Sequence, residues 1–172
     1  MRKLLGALGL AALLIAVAVL SFNRRDRAKP TAELLPYQAP VGELPAAERE
    51  RFAQIHTAIR EAERARAGTR QWPARFNAPG VSWVQRGQGL YVNYLAVPPE
   101  PARLRWLVLV IEPDPAALKE APPPEDEEHH TLSDGTALHV TVWSAPNQGP
   151  VPEAVLPFPA AENWTQRLGF SQ

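Results

Sequence analysis

Four histidines and no cysteine bound the chemistry open to this chain of 172 residues. Without a thiol there is no disulfide, no thiolate ligand and no cysteine nucleophile, so imidazole and carboxylate must carry any site. Two of the histidines flank Asp134-Gly135, a dipeptide suited to a two-residue type I′ turn, which needs positive φ at both positions. Such a turn pairs Ser133 with Thr136, Leu132 with Ala137, Thr131 with Leu138 and His130 with His139. Directly opposed residues point to one face with Cβ atoms ~5 Å apart. Alternation puts Glu128 beside His130, and it collects His129, Thr131, Leu138, Val140 and Val142 on the opposite, more apolar face. Glu128, His130 and His139 then read as three ligands for Zn²⁺, Cu²⁺ or Ni²⁺, with a position left for water. The acidic run Glu125-Asp126-Glu127-Glu128 raises the local cation concentration. The plainer reading is a cross-strand histidine pair in solvent behind an acidic loop. A slip of one residue would put His130 and His139 on opposite faces.

Catalytic patterns are scarce. Ser82, Ser133 and Ser144 fall in strands or turns, and no Gly-x-Ser-x-Gly occurs. Gly87-Gln88-Gly89 is too short to cradle phosphate and no helix follows it. Asn163-Trp164-Thr165 matches a glycosylation acceptor in form only. His56 lies one turn after Phe52 and three residues before Ile59, at the border of an apolar stripe, which makes it a structural histidine. The chain is read as no enzyme. Eighteen basic residues balance eighteen acidic ones, so there is no field to hold nucleic acid.

The elements that position these residues follow from patterning. Leu4 to Phe22 is a run of 19 uncharged residues between Arg2-Lys3 and the basic stretch Arg24 to Lys29. As a helix it would be ~28 Å long, near the ~30 Å of a bilayer core. Residues 1–23 are thus expected as a transmembrane anchor, with Leu4, Leu14 and Phe22 in lipid; a cleaved signal ending at Ala16-Val17-Ala18 is the alternative. Counting basic residues keeps the following domain in the cytoplasm. The short basic start resembles exported segments and favours a periplasmic domain on a bacterial inner membrane.

Residues 24–44, with Pro30, Pro36 and Pro40, read as a proline-rich spacer. Residues 45–172 are then one small α+β domain. Pro45 opens a helix and Gly68 stops it, with Phe52, Ile55, Ile59 and Ala62 on one apolar stripe and arginine and glutamate elsewhere. Strands follow at Val81 to Arg86 and Leu90 to Val97 around Gly87-Gln88-Gly89. Trp106 to Ile111 is continuously apolar and suggests a central strand covered on both faces, by the carboxyl-terminal segment or by a partner subunit. Pro113 to Glu128 reads as an exposed loop, and Ala160 to Leu168 as a short helix ended by Gly169. Trp83, Trp106 and Trp143 are expected in the core. The architecture so assembled is one long amphipathic helix on a four- or five-stranded antiparallel meander. Its expected function is that of a single-pass accessory or interaction protein with a protein partner or self-association. The alternative is a metal-handling accessory built on Glu128, His130 and His139.

Overall fold

A computed structural model describes residues 34–100, 103–114 and 126–169. The described residues from Leu35 onward belong to one compact unit. In chain order the elements are β1 (Gln38–Pro40), a one-turn 3-10 helix (Val41–Glu43), α1 (Ala46–Thr69), β2 (Trp83–Gln88), β3 (Tyr91–Ala96), β4 (Leu104–Ile111), β5 (His129–Thr131), β6 (Ala137–Pro146), a second 3-10 turn (Pro159–Glu162) and β7 (Thr165–Leu168).

Pro45 precedes the first helical residue, where a missing N–H leaves nothing unsatisfied. The stripe Phe52, Ile55, Ile59 and Ala62 is buried as its period requires. Gly68 does not end the helix. α1 runs to Thr69, and Arg70 takes the left-handed conformation at φ 59°.

The sheet is larger than a four- or five-stranded meander and is not wholly antiparallel. Its seven strands run in the order β1-β7-β6-β4-β3-β2, with β5 also against β6, and β1 lies parallel to β7. The expected helix at Ala160 to Leu168 is a strand over its second half. Asn163 adopts φ 60° and turns the chain, after which Thr165 and Gln166 pair with Ser144 and Trp143. Part of the expected spacer is also sheet: Gln38, Ala39 and Pro40 face Gln166, Arg167 and Leu168.

The single-pass, inner-membrane reading is corrected as well: among the described residues no helix is long and apolar enough to cross a membrane. The 24 residues of α1 have the length, but Glu48, Arg49, Glu50, Arg51, Arg60, Glu61, Glu63, Arg64 and Arg66 make the helix far too polar. Residues 1–23, including Leu4, Leu14 and Phe22, lie outside the described residues, as do 24–33 of the expected spacer and 115–125 of the expected loop.

Two apolar layers sandwich the sheet. One face carries Val92, Tyr94, Ala96, Trp106, Val108, Val110, Leu138, Val140 and Val142 against α1. The other carries Leu95, Leu107, Leu109 and Trp143, covered by Tyr37, Leu156, Ala160 and Trp164. The two-sided burial read from Trp106 to Ile111 is thus supplied by the chain itself. Asn93 fastens this cover: its side-chain oxygen accepts from the Leu156 amide at 2.5 Å. Arg105, buried on the same face, donates to Asn147 Oδ1 and Pro150 O at 2.9 Å and so shapes the loop after β6.

Both hairpins depart from the expected register. The first turns at Gly89-Leu90, so Gly87 and Gln88 belong to β2, and positive φ occurs at Gly89 alone, as a type II′ turn requires. In the second, the Gly135 amide donates to Leu132 O and the Leu132 amide to Thr136 O, which makes a three-residue loop of Ser133, Asp134 and Gly135. Only Gly135 needs positive φ (86°), and Asp134 Oδ1 accepts from the Thr136 amide at 3.0 Å.

Candidate functional site

The extra loop residue moves β5 by one position, so that His129, not His130, opposes His139 and His130 opposes Leu138. A shift of one residue exchanges the faces of a strand. All four histidines consequently gather around β5 in two pairs, one on each side of the sheet.

On the helix side, His130 is buried together with Glu63 of α1, and its Nδ1 meets the Glu63 carboxylate in a very short contact. Its Nε2 lies 3.1 Å from Glu127 O. His56 stands near this pair with its ring 4.4 Å from that of Phe52. Burial first, then the neighbouring His130 and Arg60, lowers the His56 pKa from 6.5 to about 4, against an opposing pull from Glu63. Its Nε2 is buried without a hydrogen-bond partner. His56 is therefore neutral at ordinary pH and fills space, the structural role its position implies.

On the opposite side, the His129 and His139 rings stack with centroids 4.8 Å apart and planes 9° from parallel. Each is held by a carboxylate. His129 Nδ1 lies 3.0 Å from both oxygens of Asp126, whose Oδ1 also accepts from the Glu128 and His129 amides at 2.8 Å. Partial burial works to raise the Asp126 pKa, but those two amides and the His129 ring outweigh it and hold the carboxyl below its usual range. His139 Nε2 lies 3.3 Å from Glu128 Oε2. Glu128 Oε1 in turn accepts from Gln166 Nε2 at 2.6 Å, and Gln166 Oε1 accepts from Gln38 Nε2 at 3.1 Å. The line Gln38, Gln166, Glu128, His139 thus joins β1, β7 and β6. Burial, with Glu128 and Asp126 close by, raises the pKa of Glu127 between them.

Of the three residues assigned to a metal from the sequence, the fold brings Glu128 and His139 together and turns His130 away into the interior. His129, with Asp126 against its ring, stands opposite His139 instead, a placement the sequence reading did not anticipate. The signal was faint: an aspartate three residues before a histidine caps a turn of its own, and a glycine-bearing loop admits a three-residue form. Among the described residues no set of three or more histidine or acidic side chains converges to hold a metal. The planes of the stacked rings are nearly parallel, so their in-plane nitrogen lone pairs do not meet at one point.

No protein-family model matches this chain, and neither a curated protein nor a solved structure is similar to it.

Proposed function

We propose that this domain is a non-catalytic accessory module that binds a protein partner by adding one of the partner's strands to its sheet. The observation behind this reading is the β2 edge. Trp83–Gln88 pairs with β3 on one side and ends the sheet on the other, so a row of backbone donors and acceptors faces outward. Val84 on this strand and Leu90 at its turn are among the exposed large apolar side chains. The opposite edge is a poorer template: β1 has three residues and ends in Pro40, which has no N–H. Strand addition draws affinity from the main chain and specificity from alternate side chains, a use that suits an open six-residue edge.

The disposition of buried polar groups favours binding over catalysis. Glu48 accepts from Trp106 Nε1 at 2.9 Å, Asn93 holds Leu156, Arg105 holds the loop at 147–150, and Tyr94 Oη donates to Pro73 O at 2.9 Å. These groups serve architecture. The test is the native mass of the chain purified from the cells that produce it, beside a Val84→Lys form. A complex heavier than the 18.9 kDa chain that is lost in the variant supports the reading. A lone chain, or a complex indifferent to Val84→Lys, overturns it. Val84 is half exposed, so the substitution should change stability by no more than ~0.5 kcal/mol.

A further inference from the structure

The β2 edge carries a charge pattern that strand pairing alone does not explain. Between Arg70 and Pro99 the chain has arginines at 70, 75 and 86 and no aspartate or glutamate, although the two signs balance over the whole sequence. Arg70 has Asp134 within electrostatic reach. Arg75 and Arg86 have no hydrogen bond or ion pair with any other described residue. Arg51, buried against Pro79 and Gly80 in the loop that leads into β2, directs its guanidinium at Pro79 O, a neutral acceptor. The two sides of the edge differ. Val84 and Arg86 oppose Leu95 and Asn93 and stand on the face away from α1, whereas Trp83 opposes Ala96 and packs on the α1 side. There Trp83 meets Phe76 with ring centroids 4.7 Å apart, and the two line, with exposed Arg75, a cleft of about 380 Å³.

We propose that the strand added to β2 is acidic: it offers one carboxylate to Arg86 on one face and a second, three residues away, to Arg75 in the cleft on the other, with an apolar side chain between them on Val84. The inference rests on strand addition at β2. Residues three apart in a strand point to opposite faces, as Trp83 and Arg86 do, so one extended segment serves both cations. Opposite charges on facing residues of a strand pair stabilise it, and like charges destabilise it. A second copy of this chain is for that reason the wrong occupant, because its own β2, Trp-Val-Gln-Arg-Gly-Gln, brings another arginine and no acid. The apolar residue of the added strand meets half-exposed Val84, where an ammonium would lose water on contact. Val84→Lys therefore opposes binding although the strand is acidic.

The probe is the peptide acetyl-Thr-Thr-Glu-Val-Val-Glu-Thr-Thr-amide, which reads the same in both directions and so fits either strand polarity. It is titrated into the full chain beside forms with glutamine or lysine in place of glutamate. A further form is N-methylated at both valines, so that one lost N–H faces β2 in any register. The glutamate peptide should shift the amide NMR signals of residues 84 to 88 and bind about fivefold or more tightly than the glutamine form, with the lysine form weaker still. In the double variant Arg75→Glu, Arg86→Glu the order should reverse in favour of the lysine peptide, a result that damage to the fold would not give. An unchanged order in that variant overturns the assignment of the two arginines. Equal affinity of the glutamate and glutamine peptides, both lost on N-methylation, overturns the acidic strand and leaves strand addition standing. Binding of the glutamate peptide that survives N-methylation overturns strand addition and this inference with it, as does no binding of any peptide at up to about 1 mM.

Discussion

His56 and His130 lie on the same side of the sheet and are held differently. His130 has a buried carboxylate partner in Glu63; His56 has a buried nitrogen with none. Because the folded pKa of His56 is lowered from 6.5 to about 4, the unfolded chain takes the proton first. Its contribution to stability is full above pH 6.5, is lost as pH falls from 6.5 to 4, and changes no further below that. A shift of this size corresponds to about 3 kcal/mol. The groups facing it are Phe52, Arg60, Glu63 and His130. His56→Phe keeps the ring shape and removes the orphaned nitrogen, so urea unfolding at pH 7 should show it about 1 kcal/mol more stable than wild type, with a flatter stability profile between pH 6.5 and 4. Glu63→Ala should behave in the other sense. It leaves His130 buried without its partner and should lower stability by about 3 kcal/mol in the same assay, whereas a loss under about 0.5 kcal/mol would mean that water reaches the imidazole.

At the scale of elements, each of the two layers depends on a few polar fastenings. Asn93 imitates a strand partner for Leu156 and holds the segment that covers Leu107, Leu109 and Trp143. Asn93→Ala should lower stability by about 2 kcal/mol and raise amide exchange between residues 150 and 164 more than in α1. Unchanged exchange in that segment would show that Trp164 and Leu156 hold it by packing alone. Gly135→Ala places a side chain at φ 86° and should weaken the hairpin by about 1 kcal/mol, read as faster exchange at Leu132. The elements legible in the sequence were those with a strong period: Phe52, Ile55, Ile59 and Ala62 announce α1, and Trp106 to Ile111 announces β4. The register of the hairpins was not legible, because Gly87 and Gly89 offer two turn positions and Asp134-Gly135 serves a two-residue or a three-residue loop equally well. That single residue decided which histidine faces His139. β1 and β7 were hidden for another reason. Gln38-Ala39-Pro40 and Thr165-Gln166-Arg167-Leu168 show no clean alternation, and what makes them strands is pairing across the whole sequence.

For the whole molecule, both faces of the sheet are covered by described residues of the chain itself, which leaves the β2 edge as the place where the proposed partner strand would add. The β2 edge would take main-chain hydrogen bonds. β1 and β7 carry a separate implication. Gln38 and Gln166 are 128 positions apart, yet they bond side by side, and β7 sits between β1 and β6. During synthesis, then, the strand made early has no neighbour until almost the entire domain has left the ribosomal tunnel. Nascent chains halted before Thr165 should remain open to protease around Tyr37 and Trp143, and the final closure should be a slow, late step in biogenesis.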